Sequence, residues 1–313
     1  MVTLAAIQQA KQKLAPYIFE TPLIRLAGLD ELLGCQVYVK AECMQKTNSF
    51  KIRGALNKML SLPAKQLQNG VVAASSGNHG KGVAFAAKLL GIKATIVLPD
   101  TAPQIKVDGI RALDAEFVQC KLAERHIIAK KLSDQYGYTI IHPYDDYDII
   151  TGQGTAGLEI MAQLPAVDCV VVPIGGGGLI GGIATAVKAI NPHVRVIGAE
   201  PAVLSRYEKS RKAGERVLVE EKASLADALL TLLPGEKNFP IFQKYVDDVV
   251  GVKEEYLACG VKTLLLEGKI LAEPSSAIGI AAALQGSLRI TKEDKVCFLV
   301  SGGNVSLSQL AKL

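Results

Sequence analysis

Apolar residues of this chain occur in short unbroken runs rather than in alternation with polar residues. The runs lie at 71–75 (VVAAS), 93–98 (KATIVL), 137–142 (GYTIIH), 167–174 (VDCVVVPI), 194–200 (VRVIGAE) and 295–300 (KVCFLV). Continuous runs of this length are typical of β-strands that are covered on both faces, and helical patterns separate most of them. The pattern therefore predicts an α/β fold with mostly parallel, open twisted sheets and helices on both faces.

Three of the predicted strands end in turns that are rich in glycine and small polar residues. These turns are ASSGNHG (74–80), PIGGGGLIGG (173–182) and VSGGNVSL (300–307). Ligands of open α/β sheets bind beyond the carboxyl ends of the strands, where backbone N–H groups and a helix N-terminus favour an anion. One such turn is equally well explained as a tight connection, but three of them indicate a shared anionic ligand.

The second turn also matches the pattern of a dinucleotide-binding loop. Gly176, Gly178 and Gly181 form G-x-G-x-x-G, and Glu200 follows about twenty residues later, where an acidic residue would bind a ribose. An NAD-dependent oxidoreductase is therefore an alternative function. It would leave Lys51 and the other two glycine-rich turns without roles.

A lysine lies at the start of a predicted helix in the segment QKTNSFKIRGALNKML (45–60). Capping residues precede it, and an apolar helix face follows, formed by Ile52, Ala55, Leu56, Met59 and Leu60. A helix N-terminus disfavours a cation, so this position should lower the pKa of the Lys51 amine. A neutral amine is what Schiff-base chemistry requires, although most lysines are simply solvated surface residues.

Composition narrows the class of protein. The chain has 313 residues, 49% of them hydrophobic, and its net charge of +5 comes from 35 basic and 30 acidic residues scattered along it. This describes an ordinary globular protein, long enough for two domains and without the basic clusters of a nucleic-acid-binding protein. Residues 169–187 are uncharged, but Pro173 and six glycines interrupt them, which argues against a membrane span.

The cysteines and histidines show no spacing typical of a metal site or of a disulfide framework. The six cysteines are widely separated and none belongs to a C-x-x-C pair, which favours a reduced, cytoplasmic protein. The N-terminal residues have the pattern of a helix with interspersed lysines rather than that of a targeting signal. We therefore expect a cytoplasmic protein without a metal.

The segment ECMQKTNSFKIRGA (42–55) resembles the cofactor-lysine signature of the serine/threonine dehydratases, a family that includes the eukaryotic-type serine racemases. Six further family motifs occur in the family's order: SSGNHG (75–80), GQGT (152–155), GGGGL (175–179), LADA (225–228), EPSSA (273–277) and SGGN (301–304). The resemblance covers nearly the whole chain. It implies the two-domain, tryptophan-synthase-β-like fold (fold type II) of pyridoxal 5′-phosphate (PLP) enzymes, with PLP as the cofactor.

The resemblance also implies which residues bind the cofactor. Lys51 would bind PLP as a Schiff base, with Phe50 packed beside the ring. Asn78 would bond the 3′-oxygen of the cofactor, and Ser301 would face its pyridine nitrogen. The phosphate would be held by the backbone N–H groups of Gly175, Gly176, Gly177, Gly178 and Leu179.

A small amino acid is the implied substrate. Its carboxylate would be held by Ser75, Ser76, Gly77, Asn78 and His79. Lys51 would remove the Cα proton as general base, and PLP would act as the electron sink. Because Ser301 offers a hydroxyl rather than a carboxylate, it gives little reason for the ring nitrogen to be protonated, which favours loss of the β-hydroxyl. The implied activity is dehydration and deamination of L-threonine or L-serine to a 2-oxo acid and ammonia.

Two other activities stay open within the same family. Ser76 occupies the position of the second acid/base of the racemases, where many bacterial dehydratases have alanine. A bifunctional serine racemase is therefore an alternative, and a hydroxyl that only binds the carboxylate is the other reading of Ser76. Tyr144, Ala228, Ser275 and Ser276 depart from the residues usual in the family, so a hydroxyaspartate-type dehydratase is a further alternative.

The family's divalent-cation motif, E-P-x-x-x-x-D, is altered in this chain. Glu200 is kept, but Arg206 occupies the position of the aspartate. A cation site that gains a cationic side chain should no longer bind a metal. We therefore expect Arg206 to pair with Glu200 and to replace the charge of the metal.

The predicted domain organisation is discontinuous. A large PLP-binding domain would comprise residues 1–69 and 146–313, and a small mobile domain that closes on the substrate would comprise residues 70–145. We expect a homodimer or homotetramer, with no nucleic-acid or membrane partner. A catalytically silent amino-acid-binding module is the remaining alternative, and the intact Lys51 argues against it.

Overall fold

The computed structural model describes residues 1–75, 77–102 and 104–313, with the backbone alone for residues 104–106, and its strands form two sheets. The strands are β1 (Leu23–Arg25), β2 (Gln36–Ala41), β3 (Val71–Ala74), β4 (Ala94–Pro99), β5 (Glu116–Cys120), β6 (Thr139–Ile140), β7 (Cys169–Pro173), β8 (Arg195–Pro201), β9 (Asp248–Val252) and β10 (Lys295–Val300). The α-helices are α1 (Leu4–Leu14), α2 (Asp30–Leu33), α3 (Lys51–Ser61), α4 (Ala64–Leu67), α5 (Asn78–Leu90), α6 (Gln104–Arg111), α7 (Arg125–Tyr136), α8 (Tyr147–Gln163), α9 (Gly178–Ile190), α10 (Arg206–Ala213), α11 (Asn238–Tyr245), α12 (Glu254–Leu266), α13 (Pro274–Leu284) and α14 (Leu307–Leu310). The alternation confirms the predicted α/β class.

The larger sheet has six strands in the order β1-β2-β10-β7-β8-β9. Only β1, at one edge, pairs antiparallel to its neighbour among the described strands of this sheet. Successive residues of β7 point to opposite faces: Val171 belongs to the core formed with α12 and α13, whereas Val170 and Val172 belong to the core formed with α8 and α9. The predicted covering of the sheet on both faces is therefore confirmed.

The smaller sheet has four parallel strands in the order β5-β4-β3-β6. All four lie between Val71 and Ile140, within the range predicted for the small domain. Its core, however, also contains Ile52 and Leu56 of α3, which lie outside that range. The division of the chain into two domains stays a prediction.

A buried network of charges connects α3 to α8 and to β2. Arg53 contacts Glu42 (Nε–Oε2, 2.7 Å) and Glu159 (Nη1–Oε1, 2.6 Å), and Lys40 contacts Glu159 (Nζ–Oε2, 2.6 Å). All four side chains are buried. Because buried charges are tolerated only when they are paired and hydrogen-bonded, this network specifies the position of α3 relative to the larger sheet.

Three strand ends bring the glycine-rich turns together. α5 begins at Asn78 shortly after β3, α9 begins at Gly178 shortly after β7, and β10 ends at Val300, directly before the third turn. β7 and β10 are parallel neighbours in the larger sheet, so their ends meet at one edge, which is where ligands of α/β proteins bind. β3 belongs to the smaller sheet, and its turn is joined to the third turn by the hydrogen bond from Asn304 to Asn78. In the described part of the chain, no helix has the length and apolarity needed to cross a membrane.

Candidate active site

Lys51 is the first residue of α3, and its amine lies in an enclosed setting although the residue as a whole is only half-buried. Its Nζ donates a hydrogen bond to the carbonyl oxygen of Pro143 at 2.8 Å and lies 5.1 Å from the ring centroid of Phe50. Burial lowers the pKa of Lys51 to about 8, while the charge of Glu273 acts in the opposite direction. The pKa is lowered, as predicted, but the main cause is burial rather than the helix N-terminus.

The end of β10 holds the start of α3 in place. The backbone N–H of Phe50 donates to the carbonyl oxygen of Ser301 at 3.1 Å, and Ser49 forms a backbone bridge with Gly302. A Cβ atom at Gly302 would lie 2.8 Å from Oε1 of Glu273. Glycine therefore allows the turn after β10 to approach both α3 and this carboxylate.

Ser301 lies at the end of a short chain of buried polar groups. Its hydroxyl oxygen is 2.9 Å from that of Ser276, and Ser276 donates to Oε1 of Glu273 at 3.3 Å. The neighbouring Ser275 accepts a hydrogen bond from the backbone N–H of Ala228 at 2.9 Å. Two of the serines that depart from the family pattern thus connect Ser301 and the turn at Ala228 to the start of α13.

Asn78, the first residue of α5, is bonded at both ends of its amide. Its Nδ2 donates to Oε1 of Glu273 at 2.6 Å, and its Oδ1 accepts from Nδ2 of Asn304 at 2.7 Å. Lys81 donates in turn to Oδ1 of Asn304 at 2.8 Å, and burial lowers the pKa of Lys81. These contacts fix the orientation of Asn78 toward the same carboxylate that affects Lys51.

The turn between β7 and α9 is a concave row of backbone N–H groups. Gly177 is the N-cap of α9, has a φ of 100° and supplies no capping side chain. Within the described residues, no protein acceptor bonds the N–H groups of residues 175–179, although residues 176–179 are buried. A Cβ atom would lie 2.3 Å from the ring of Tyr144 at Gly176 and 2.0 Å from Oη of Tyr207 at Gly177. Buried donors at a helix N-terminus form a ready-made site for an anion.

The predicted carboxylate cradle is only partly described. Ser75 accepts a hydrogen bond from the backbone N–H of Gly77 at 3.3 Å, and Ser76 lies outside the described residues. His79 is buried and its Nε2 donates to the carbonyl oxygen of Ile141 at 2.8 Å. Burial lowers the pKa of His79 to about 3, so this ring is neutral and positions the turn rather than offering a positive charge.

His142 and Tyr144 lie beside the glycine turn, and the sequence pattern assigned no role to His142. Its Nδ1 accepts from the backbone N–H of Asp145 at 2.8 Å, and its ring packs edge-on against Tyr144 with 4.8 Å between centroids. Burial lowers the pKa of His142 to about 4, which keeps Nδ1 an acceptor near neutral pH. The neutral ring therefore stabilises the turn whose Pro143 carbonyl binds Lys51.

Glu200 lies behind the glycine turn, where its carboxylate is bonded within the protein. Its carboxylate is fully buried, accepts from the backbone N–H groups of Tyr207 (3.1 Å) and Glu208 (2.9 Å), and lies 3.6 Å from Nη1 of Arg206. The predicted pairing with Arg206 is present. The ribose-binding role that a dinucleotide site would give Glu200 is wrong, because its oxygens are already bonded within the protein. The described residues contain no group of three or more His, Cys, Asp or Glu side chains placed to hold a metal.

Several residues of this site were not assigned a role from the sequence. Glu273, Ser276 and Asn304 belong to the EPSSA and SGGN motifs, so the motifs indicated their importance but not their contacts. Their partners come from distant segments that only the fold brings together. A carboxylate directly before a helix that begins with proline, as at Glu273, is the local signal that could have indicated this position.

The known proteins that this chain resembles include a family of enzymes that share the same cofactor. A family model described as "Pyridoxal-phosphate dependent enzyme" matches residues 14–302. The L-threonine ammonia-lyase of Thermotoga maritima is 41% identical over 315 residues, which cover 100% of this chain and 78% of that protein. The serine racemase of Oryza sativa subsp. indica is 38% identical over 311 residues, which cover 97% of this chain and 91% of that protein.

Solved structures give the same result for the fold. The structure of maize serine racemase superposes with a TM-score of 0.95 at 37% identity, covering 99% of this chain and 96% of that one. The processed form of threonine deaminase isoform 2 from Solanum lycopersicum superposes with a TM-score of 0.93 at 38% identity, covering 99% of this chain and 85% of that one. The similarity therefore extends over both sheets and over the turns that form the site.

Proposed function

The chain belongs to the family of pyridoxal-phosphate dependent enzymes, and on that basis we propose that it removes water from a small β-hydroxy amino acid such as L-threonine or L-serine, releasing a 2-oxo acid and ammonia. The observation that carries the proposal is the enclosed Lys51 amine, with its lowered pKa, in a chain whose glycine turn presents a row of buried N–H groups. Relatives named L-threonine ammonia-lyase and serine racemase support this reaction class.

The residues of the site fit the cofactor. A phosphate requires several N–H donors. Residues 175–179 supply a row of N–H groups, and no acceptor among the described residues bonds them. A pyridine aldehyde requires a neutral amine, which Lys51 supplies. In this proposal Phe50 lies beside the ring, Asn78 bonds the 3′-oxygen and Ser301 faces the pyridine nitrogen.

Lys51 would act as the general base once the substrate has displaced it. When bound, PLP supplies an electron sink that stabilises the electron pair left on Cα after proton removal. The pKa of Lys51, about 8, is suited to proton transfer near neutral pH, because neither the neutral nor the charged form is then rare. The Pro143 carbonyl oxygen, 2.8 Å from Nζ, accepts a hydrogen bond from the amine and so orients it.

Ser301 favours elimination over transamination in this proposal. Its hydrogen-bond partner is the hydroxyl of Ser276 rather than a carboxylate. A hydroxyl cannot hold a proton on the pyridine nitrogen as strongly as a charged carboxylate would. Charge is then less delocalised into the ring, and loss of the β-hydroxyl competes better.

The start of α5 would bind the substrate carboxylate. Ser75, Gly77, Asn78 and His79 occupy the turn and the first helical positions, where N–H groups and the helix dipole favour an anion. His79 would contribute through its backbone, since its ring is neutral and bonded to Ile141. Ser76, which lies outside the described residues, belongs to the same turn in the sequence.

A serine racemase is the second candidate function. It is favoured by the rice and maize relatives named serine racemase and by the hydroxyl at Ser76 in the sequence. Racemisation needs a second acid/base on the face of Cα opposite Lys51, and Ser76 would supply it. The two activities share every other residue of the site.

A substrate panel tests these proposals. L-serine, D-serine, L-threonine and threo-3-hydroxyaspartate are incubated with the PLP-loaded protein, and both 2-oxo acid release and loss of chirality are followed. We expect 2-oxo acid from L-threonine or L-serine. Interconversion of L- and D-serine that is lost in Ser76→Ala, while dehydration of the L-amino acid is kept, would identify a racemase. Full PLP occupancy with no reaction on any of the four would contradict the proposed function.

We also propose the organisation and setting expected from the sequence. Residues 70–145 would move as a small domain that closes over the substrate, since they contain the whole four-stranded sheet and the start of α5. A homodimer or homotetramer in the cytoplasm is proposed as well. All six cysteines are free thiols, which supports a reducing compartment.

A further inference from the structure

We propose that Arg206 and Tyr207 are positioning residues that turn the N–H groups of the glycine turn toward the cofactor phosphate by holding its carbonyl groups from behind. The inference rests on the proposed function, because it concerns the phosphate site of that cofactor. It goes further by assigning a task to two residues of α10 that would not themselves touch the cofactor.

Arg206 holds the chain where β7 ends. Its guanidinium is fully buried and donates to the carbonyl oxygen of Ile174, and to that of Gly175 from both Nε (3.2 Å) and Nη2 (3.1 Å). Nη1 donates to the carbonyl oxygen of Leu204 at 2.9 Å. The planar fork of an arginine can bind several carbonyl groups in a fixed geometry, which a lysine cannot do.

Tyr207 holds the next carbonyl of the same turn. Its Oη donates to the carbonyl oxygen of Gly176 at 2.9 Å, and the backbone N–H of Gly235 donates to the same oxygen at 3.1 Å. The Tyr207 ring is fully buried and packs against Phe242 with 4.7 Å between centroids. Two adjacent residues of α10 therefore bind three successive carbonyl groups, those of residues 174–176.

The direction of the carbonyl groups determines the direction of the N–H groups. Each peptide unit is planar and trans, so an amide whose oxygen is held on one side presents its N–H on the other. The held carbonyls of residues 174–176 belong to the same peptide units as the N–H groups of residues 175–177. These N–H groups are among those without a protein acceptor in the described chain. The α10 contacts thus aim the donors at the site.

Glu200 supplies a counter-charge for the buried guanidinium of Arg206. Its carboxylate lies 3.6 Å from Nη1 of Arg206 and accepts the N–H groups of Tyr207 and Glu208 at the start of α10. A guanidinium buried without a counter-charge would be strongly unfavourable. The pair of Glu200 and Arg206 therefore adds little net charge behind the turn. The positive potential of the turn comes from its N–H groups and from the N-terminus of α9.

The test compares PLP with pyridoxal, which has the same ring and aldehyde but no phosphate. Dissociation constants of both are measured for the apoprotein and for Arg206→Lys, Tyr207→Phe and the control Arg211→Gln. Arg211 lies on the same helix, is exposed and bonds the carbonyl of Asp247 instead of the turn. The ³¹P signal of bound PLP is recorded for each variant.

We expect Arg206→Lys to weaken PLP binding by about ten- to a hundredfold, because hydrogen bonds to a charged group are lost. Tyr207→Phe should weaken it by about two- to tenfold, since one neutral bond is removed. Pyridoxal affinity should change little in either variant, and the ³¹P signal should shift. The control Arg211→Gln should leave both affinities unchanged.

Equal weakening of PLP and pyridoxal would overturn the inference, because it would indicate general damage to the site. Wild-type PLP affinity in Arg206→Lys would overturn it as well. If Arg206→Lys does not fold, Tyr207→Phe decides: selective weakening of PLP supports the inference, and unchanged affinity overturns it. A wild-type protein that binds no PLP would instead defeat the proposed function, so the two failures are distinguishable.

Discussion

At the scale of single residues, Lys51 shows what a sequence pattern conveys and what it leaves out. The motif placed it at the start of a helix, and α3 begins there. The predicted capping by the preceding Thr, Asn and Ser residues is wrong, because the N-cap is Phe50 and no side chain caps the helix. The environment of its amine depends on Pro143 and Glu273, which are far away in the chain. Burial, the main cause of the lowered pKa, is a property of the fold and cannot be read from neighbouring residues.

The lowered pKa of Lys51 predicts how the apoprotein takes up its cofactor. The neutral amine is the nucleophile, so the rate of PLP capture should rise as pH increases through about 8 and then level off. Since the pKa in the folded protein is below the ordinary value, the charged amine destabilises the apoprotein below about pH 8, and this penalty is relieved toward higher pH. The growth of the visible absorbance band measures the rate.

A variant of Glu273 provides the control for this pH dependence. The charge of Glu273 raises the pKa of Lys51, so Glu273→Gln should move the rise in the capture rate to lower pH. A rate that increases only near the ordinary lysine value of 10.5 would show that the amine is solvated. That outcome would remove Lys51 from the proposed site.

The contacts of several single residues involve distant parts of the chain and cannot be predicted from the sequence. Asn78 and Ser301 were assigned from their motifs, and both lie among the contacts of the site. The sequence around His142 contains no motif that indicated a role for it. Its neutral state follows from burial, and its task of holding the turn at Asp145 follows from a bond to the backbone.

At the scale of elements, the glycine turn is the part of the site that the sequence described best. The apolar run, the glycines and the helical pattern correspond to β7, the turn and α9. The same pattern also suggested a dinucleotide, because a dinucleotide and the single phosphate of PLP both need N–H groups at the start of a helix. The position of Glu200 behind the turn, bonded to the start of α10, separates the two interpretations.

Two alanine variants test the turn. In Gly177→Ala the Cβ atom would lie 2.0 Å from Oη of Tyr207, and the φ of 100° is strained for alanine, at a cost of about 1–3 kcal/mol. We expect lower stability and clearly weaker PLP binding. In Gly181→Ala the nearest atom is an ordinary 3.4 Å away, and a helix gains about 0.5–1 kcal/mol from the change. Urea unfolding and PLP titration measure both effects.

The difference between the two variants tests the shape of the turn. Gly181 lies in the first turn of α9, which Gly177 caps, but its Cβ direction is free of close contacts. Equal tolerance of alanine at both positions would contradict the described shape of the turn. An equal loss at both would indicate that the helix, rather than the turn, is sensitive.

The strands that the sequence pattern did not predict were missed for two physical reasons. β1, β5 and β9 lie at sheet edges, where one side is more open and the apolar runs are broken. β2 is an interior strand, but it carries Lys40, whose charge interrupts the run and is buried against Glu159. A pattern based on continuous hydrophobicity therefore misses strands whose apolar run is broken, as at three of the sheet edges and at the buried Lys40.

At the scale of the whole molecule, α3 connects the two sheets. It starts at Lys51 beside the end of β10, packs Ile52 and Leu56 into the core of the smaller sheet, and is bonded through Arg53 to the larger one. A shift of the smaller sheet would therefore change the position of Lys51. The predicted closing motion of residues 70–145 stays a proposal, and composition did not locate its boundary because this core draws on both sides of it.

Reductive trapping tests directly whether Lys51 carries PLP. The purified protein is treated with borohydride, digested and mapped by mass spectrometry, with Lys51→Ala and Lys81→Ala treated in parallel. We expect a yellow protein that is bleached by the reduction, a phosphopyridoxyl group on Lys51, the same result in Lys81→Ala, and no labelled peptide in Lys51→Ala. A colourless wild-type protein after incubation with PLP, or a label on another lysine that persists in Lys51→Ala, would contradict it.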